Sequence, residues 1–135
     1  MKPMPFNVFD ARCTSREVLD HVMSRWGALT LVALRPGELR FAEIARAVGG
    51  ISDRMLSQTL KILEADGFVT RTAPGVRHVE YGVTADGARV ADALAGLIDA
   101  VYGVMPHVME GRPGAASSVG AGGHGRAEHR EMGPE

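Results

Sequence analysis

Four polar side chains recur at a spacing that suits the reading of DNA. When residues 52–66 are wound at about 3.6 residues per turn, the four fall on one face and apolar side chains fall on the other. Arginine and glutamine pair with base edges, serine and lysine reach phosphate oxygens, and an α-helix fits the major groove. The pattern predicts a recognition helix, and the alternative is an ordinary surface helix with a solvated polar face. The polar residues are Arg54, Ser57, Gln58 and Lys61; the apolar ones are Leu56, Leu60 and Leu63, flanked by Met55, Thr59 and Ile62.

A second site of possible chemistry is the single cysteine, Cys13. It lies directly before a predicted helix start and between Arg12 and Arg16. A helix N-terminus and nearby cations both favour thiolate over thiol, and the thiolate is the nucleophile. The alternative is a passive cysteine packed beneath the N-terminal segment. A lone cysteine also excludes an internal disulfide and a cysteine-based zinc site.

The composition limits the remaining functional classes. A chain of 135 residues with 45% hydrophobic content predicts one globular domain with a real core. The net charge of −1 means that basic residues must act locally if the partner is DNA. There is no long apolar run and no signal-peptide core, so we expect a cytoplasmic protein. Without a common catalytic motif, we expect no enzyme, no catalytic residue and no cofactor.

His107, His124 and His129 are spread through the last third of the chain, and we expect them to be solvated with no metal bound.

The segments before residue 52 predict three helices and one very short strand. The first helix opens at Thr14, which has capping-box spacing with Glu17, and a joint at Trp26-Gly27 separates it from a buried second helix ended by Pro36-Gly37. Leu39 and Arg40 form at most a short strand. A third helix has apolar residues at helical spacing from Phe41 to Val48, ends at Gly49-Gly50, and precedes Ser52 as N-cap of the next helix. Two short helices joined by a glycine-containing turn make a helix-turn-helix.

The residues after the recognition helix predict a hairpin and a long final helix. The hairpin has Val69–Thr72 as its first strand, a turn through residues 73–75, and Val79, Tyr81 and Val83 on its second strand. Arg71 either snorkels or marks a bulge, and a helix-turn-helix followed by a hairpin is a winged helix. Arg71, Arg77 and His78 are the donors on this wing.

The final helix is predicted to pair two chains. It begins at the cap Thr84 and ends near Met105, since Pro106 disfavours helical geometry in the residue before it. Its apolar stripe is long for so small a domain, so the simplest partner is a second copy across a twofold axis; the alternative is a helix folded back on its own domain. Residues 1–13 are expected to pack on the dimer, and the glycine-rich residues 111–135 to be disordered. The stripe is Val90, Leu94, Leu97, Ile98, Val101 and Met105.

Three segments, RFAEIARAVGGIS, LEADGFV and VEYGVT, together with Arg25-Trp26, resemble the HxlR-type transcriptional regulators over about residues 13–105. Gly82 stands where such sequences carry a larger residue. The resemblance implies a mostly α fold with a small β-hairpin (α+β), that is, a MarR-like winged helix-turn-helix with flanking dimerisation helices and no catalytic activity. It also implies a homodimer that binds operator DNA, and some such proteins use an N-terminal cysteine to sense oxidants, quinones or aldehydes.

On this reading, two recognition helices enter successive major grooves, about 34 to 36 Å apart, so the operator is an inverted repeat. We expect Arg54 and Gln58 to contact guanine and adenine edges, with Ser57 on the same face. The phosphate contacts expected are Lys61, Arg40, Ser52, Arg71, Arg77 and His78. Two alternatives stay open: a winged helix that binds a protein partner, and a regulator whose effector is a small apolar ligand held between the long helices.

Overall fold

The computed structural model describes residues 5–75 and 77–112, and within them the chain forms five helices and one antiparallel hairpin. This confirms the predicted winged helix-turn-helix class. The predicted disordered tail, with His124 and His129, lies outside the described residues from position 113 onward. No described helix is long and apolar enough to cross a membrane. The elements are α1 (Thr14–Met23), α2 (Arg25–Ala33), α3 (Phe41–Ala47), α4 (Asp53–Ala65), β1 (Val69–Gly75), β2 (His78–Val83) and α5 (Ala85–Glu110).

The apolar side of α4 is buried, which fixes its polar side outward. Leu56, Leu60 and Leu63 are at most 2% exposed, and Thr59 beside them is also buried. They belong to one core cluster with Leu31 of α2 and with residues of α1, α3, β1 and α5. Because a helix of 3.6-residue period can bury only one stripe, burial of the leucines leaves the opposite stripe to solvent.

The start of α4 follows the sequence prediction. The Ser52 hydroxyl accepts a hydrogen bond from the Met55 N–H at 3.0 Å, which satisfies one of the amide groups that the first turn leaves unpaired. Gly50 has a φ of +88° in the turn between α3 and α4, a backbone conformation that favours glycine. Trp26 of α2 lies next to this turn, since its ring is 3.7 Å from where a Cβ on Gly50 would be. The backbone of the turn before α4, which sets the angle of the predicted recognition helix, is therefore sterically constrained.

The boundary between α1 and α2 differs from the prediction. The break occurs at Ser24, whose hydroxyl accepts from the Gly27 N–H at 3.1 Å and donates to the His21 carbonyl at 2.8 Å. Trp26 and Gly27 therefore lie inside α2, where Gly27 provides a close approach to α1 instead of a joint. The predicted Thr14 cap is also wrong, because Cys13 occupies the N-cap position and no side-chain cap hydrogen bond forms there.

The hairpin is longer than predicted. β1 continues through Ala73 and Pro74 to Gly75, so the predicted turn at these residues is wrong. Pro74 is tolerated because the register shifts between Thr72 and Gly75, and a proline without an N–H is accommodated where strand pairing is irregular. Arg71, which precedes the shift, is exposed and pairs with Tyr81. The predicted short strand is confirmed as a single bridge, in which Leu39 and Tyr81 exchange hydrogen bonds of 2.9 and 2.8 Å.

The last helix begins where predicted and ends later. The Thr84 hydroxyl accepts from the Gly87 N–H at 2.9 Å and donates to the Gly67 carbonyl at 2.7 Å, so it caps α5 and ties it to the end of α4. The helix continues through Pro106 to Glu110, because an exposed proline removes one hydrogen bond without ending a helix whose other bonds persist. The chain divides into two units, Met1–Gly96 and Leu97–Glu135, and α5 begins in the first and ends in the second.

One substitution in the core is expected to increase the stability of the protein. Thr30 on α2 is fully buried, and its hydroxyl has no hydrogen-bond partner among the described residues. A buried hydroxyl without a hydrogen-bond partner costs about 1 to 3 kcal/mol. Thr30→Val keeps the shape of the side chain and should therefore raise the free energy of unfolding by about 1 kcal/mol. Urea denaturation measures this change. Thr59→Val is the matched control, because the Thr59 hydroxyl is not among the buried groups without a partner. We expect no rise in the free energy of unfolding for that variant. A loss of stability in Thr30→Val would mean that the hydroxyl has a partner after all.

Candidate nucleic-acid interface

The polar face of α4 is available to a partner. Arg54, Gln58 and Lys61 are exposed, Ser57 is half-buried, and none of the four forms a side-chain hydrogen bond or ion pair with any described residue. The structure therefore brings together the four residues that the sequence predicted as the reading face. Because the opposite stripe of the same helix is in the core, their donors point away from the protein. We call these four residues the reading face.

The predicted phosphate contacts outside α4 divide into two groups. Arg71 on β1 and Arg77 in the turn are exposed, as the predicted phosphate contacts should be. Arg40 and His78 are instead in contact, the guanidinium Nη2 with imidazole Nδ1, and His78 Nε2 is 2.6 Å from Glu80 Oε2. The sequence analysis placed Arg40 and His78 among independent phosphate ligands, whereas the structure joins them to an acid that it did not single out. The alternation of His78, Glu80 and Gly82 on one face of β2 is the signal that shows this grouping.

A second carboxyl group completes this cluster. The Glu38 carboxyl hydrogen bonds to Glu80, which raises the pKa of Glu38 above its ordinary value, with desolvation and the Glu80 charge adding to the effect. The hydrogen bond from His78 lowers the pKa of Glu80, helped by the hydrogen bond from Glu38 and by the charge of Arg40. Glu80 therefore loses its proton at lower pH than Glu38 does.

The pKa of Cys13 is lowered, in part by the helix N-terminus that the sequence suggested but not by the neighbouring arginines. Arg12 pairs with Asp10 at 3.7 Å, and Arg16 pairs with Asp20 at 3.5 Å, so neither guanidinium forms a hydrogen bond to the sulfur. The Ser15 hydroxyl donates to Cys13 Sγ at 3.3 Å, and the Asn7 N–H donates to it at 3.5 Å. The Ser15 hydroxyl is the largest cause that lowers the pKa of Cys13, followed by the Asn7 and Ser15 backbone N–H groups; desolvation and the Asp10 charge oppose them.

This arrangement predicts a measurable pH dependence of thiol reactivity. Because the folded-state pKa is depressed, the thiolate persists to lower pH than in an ordinary cysteine, and it is lost as the pH falls through the folded pKa. Alkylation by iodoacetamide, followed by mass spectrometry, should therefore show a midpoint below that of an unfolded control. Ser15→Ala should move the midpoint upward, and Arg12→Ala should leave it nearly unchanged. A profile that follows Arg12 instead of Ser15 would contradict this assignment.

The predicted dimer stripe divides between core and surface. Leu94 is 9% exposed and Val90 is half-buried, and both pack with the core of their own chain, so the sequence analysis was wrong to reserve Leu94 for a partner. The physical reason is that Ala91 and Leu94, at adjacent turns of α5, are both buried in the core cluster of the first unit. In the second unit, Leu97 and Val101 are exposed, and Ile98 and Met105 are half-buried. The exposed apolar residues there also include Tyr102 and Val104, which the sequence analysis did not name.

The first unit also contains an open, mostly apolar groove of about 540 Å³. The first turns of α5 and one face of α1 line it, and Val8 closes one side. Ser15, whose hydroxyl bonds to Cys13, is one of its polar lining residues. Phe6 and Phe9, which were predicted to pack on something, remain exposed on this single chain at 59% and 90%. The full lining is Val8, Ser15, Val18, Leu19, Val22, Phe68, Asp86, Arg89, Val90 and Ala93.

Comparison with known proteins gives a consistent result. The HxlR-like helix-turn-helix family matches residues 21–108. The HTH-type transcriptional regulator YtfH of Escherichia coli strain K12 is 49% identical over 105 residues, which cover 76% of this chain and 83% of that protein. The structure of the transcriptional regulator YtfH from Salmonella typhimurium superimposes with a TM-score of 0.72 at 48% identity, covering 78% of this chain and 96% of that one. YodB from Bacillus subtilis, in its diamide-treated form, has a TM-score of 0.57 at 27% identity, with 65% of this chain and 89% of that chain covered.

Proposed function

Because this chain belongs to the HxlR-like helix-turn-helix family of transcriptional regulators, we propose that it binds an inverted-repeat operator as a homodimer. The observation that carries the proposal is the reading face, which has unpaired donors on one side of α4 and a buried leucine stripe on the other. Each copy presents one α4 to a major groove, and twofold symmetry of the protein requires twofold symmetry of the site.

Within each half-site, Arg54 and Gln58 read base edges and Ser57 lies between them on the same face. Arginine and glutamine offer two donors, or a donor and an acceptor, in the geometry that guanine and adenine present in the major groove. Lys61 and the exposed wing arginines, Arg71 and Arg77, hold phosphates and fix the register. Ser52 retains its hydroxyl proton for a phosphate while its oxygen caps α4.

The homodimer forms through the second half of α5. Leu97, Val101 and Val104 recur at helical spacing and are between 46% and 58% exposed, which is costly for apolar residues on an isolated chain. A second copy provides the same stripe across a twofold axis, with Ile98, Met105 and Tyr102 at its borders. The exposed Phe6 and Phe9 of the N-terminal segment add apolar surface to the same assembly.

Cys13 is the sensor of oxidants or electrophiles in this proposal, in place of a passive packed thiol. Its lowered pKa supports reactivity, and YodB, a structural neighbour, was solved in reduced, diamide-treated and quinone-bound forms. A path to the DNA also exists. Cys13 occupies the N-cap position of α1, and His21 in the last turn of α1 is 2.7 Å from Asp66 at the end of α4, so a shift of α1 would displace the end of α4.

Selection of bound sequences from a random duplex library tests the proposal. We expect an inverted repeat whose half-sites are about one helical turn apart, a mass of two chains by light scattering, and affinity that falls steeply with salt because phosphate contacts release counterions. A weak salt dependence with tight binding to a protein would favour the interaction-module alternative. A monomer in solution, or the absence of any preferred palindrome, would overturn the proposal. Loss of operator affinity on oxidation in wild type but not in Cys13→Ser tests the sensor separately.

A further inference from the structure

A chain of hydrogen bonds runs from Arg40 through His78 to Glu80 at the base of the wing. The side-chain types determine which group donates and which accepts in each bond. Arginine has only donors, so the contact between Arg40 and His78 requires Nδ1 to be the acceptor. The imidazole then carries its proton on Nε2 and donates it to Glu80 Oε2 at 2.6 Å. Glu80 thus fixes the tautomer in which His78 offers a lone pair to the guanidinium, as carboxylates do for the histidines that bind metals.

Backbone geometry places the whole chain on one side of the hairpin. His78, Glu80 and Gly82 alternate along β2 and therefore share a face. Gly82 leaves room on that face for Glu38, whose Cγ lies 2.9 Å from where a Cβ on Gly82 would be. The bridge between Leu39 and Tyr81 holds Glu38 and Arg40, its two flanking residues, against this strand. Gly82 is thus the residue that lets Glu38 reach Glu80.

We propose that Glu80 is a positioning residue that acts through His78 to hold the Arg40 guanidinium on the hairpin and out of contact with DNA phosphate. The proposal rests on the DNA-binding function above. In the free protein the charge of Arg40 is balanced by Glu80 through the His78 imidazole, so this cation adds little to the attraction for a duplex. Phosphate must compete with His78 for Arg40, and Glu80 sets how strong that competition is.

The surroundings of the cluster support this role. On the α3 side the Glu43 carboxylate is already used, since it accepts from the Arg40 backbone N–H at 2.8 Å. On β1 the residues opposite Glu80 and His78 are Thr72 and Gly75, which carry no charge. Glu80 is therefore the ionised group directly bonded to His78. Because Arg40 is exposed, its release needs no rearrangement of the core.

The test is a double-mutant cycle between Arg40 and Glu80, which do not touch in this chain of hydrogen bonds. The probe is a labelled mixed-sequence duplex of about 30 base pairs, which needs no knowledge of the operator and is long enough for two half-sites. We expect Glu80→Gln to tighten binding about two- to five-fold, the range for one surface ion pair. It should also steepen the salt dependence by about 0.9 in slope for each additional phosphate that the protein neutralises. In the Arg40→Gln background the tightening should fall to that expected for removing any exposed acid, and the change in salt slope should vanish.

Two further variants separate positioning from simple removal of charge. Asp53→Asn removes an exposed acid at the start of α4, outside the cluster, and should tighten binding equally with Arg40 or with Arg40→Gln. His78→Asn removes no negative charge, yet it should also tighten binding, and only when Arg40 is present. Equal effects of Glu80→Gln in both backgrounds, or weaker binding by His78→Asn, would overturn the inference. Circular dichroism establishes that each variant is folded, and if Glu80→Gln is not, the His78→Asn arm decides alone. Failure of wild type to bind the duplex would instead overturn the proposed function.

Discussion

Replacing Gly87 with alanine is expected to destabilise this protein by about 3 kcal/mol or more, although alanine is normally the better helix former. Gly87 is buried in the first turn of α5, and a Cβ there would lie 1.9 Å from the Phe68 carbonyl oxygen and 2.8 Å from its carbon. The obstacle is backbone, so it cannot rotate away. The helix must move, and the hydrogen bond from the Thr84 hydroxyl to the Gly67 carbonyl, which docks α5 onto the end of α4, is then lost.

Thermal unfolding followed by circular dichroism measures this effect. For a domain of about 100 residues, 3 kcal/mol corresponds to a fall in Tm of about 12 to 24 °C. Gly96→Ala in the same helix is the matched control, because nothing lies within 4 Å of the position where its Cβ would be. That variant should be neutral or more stable by up to about 1 kcal/mol. If Gly87→Ala behaves like Gly96→Ala, α5 does not pack on the Phe68 backbone as closely as described.

Arg54→Ala is expected to reduce operator affinity by about 1 to 3 kcal/mol for each half-site, which is the discrimination that one bidentate base contact provides. In a homodimer the two half-sites together lose about 2 to 6 kcal/mol, which is a loss of about 30-fold to about 10⁴-fold in affinity. Binding to mixed-sequence DNA should fall much less, because non-specific duplexes offer no matching base edge. Titration of labelled operator and of labelled mixed-sequence duplex at one salt concentration measures both.

Lys61→Ala on the same helix is the comparison for Arg54→Ala. A lysine that binds phosphate should lose affinity for both duplexes by a similar factor, with a salt slope lower by about 0.9 per protomer. Gln58→Ala should resemble Arg54→Ala. If Arg54→Ala weakens operator and mixed-sequence duplex equally, Arg54 is a phosphate ligand and its assignment as a base contact is wrong.

Features that repeat within one element were predictable from the sequence. The leucines of α4 recur every three or four residues, which determined both the helix and the direction of its polar face. Caps are equally local, and Ser52 and Thr84 could be recognised because each bonds a backbone N–H within three residues. The alternation along β2, together with the helix-turn-helix before it, was enough to predict the wing and the fold class.

Features that depend on residues far apart in the chain were decided only by the tertiary structure. Leu94 fits a dimer stripe by spacing, but the core of its own chain buries it. The contact of Arg40 with His78 spans 38 positions, so the alternation along β2 can group His78 with Glu80 but cannot bring Arg40 to them. The sequence alone gives Gly87 no steric role, whereas the structure shows that Phe68 leaves no room for a side chain there. The reason is physical: periodicity and capping depend on neighbours along the helix or strand, whereas burial, charge balance and steric clearance depend on which distant segments folding brings together.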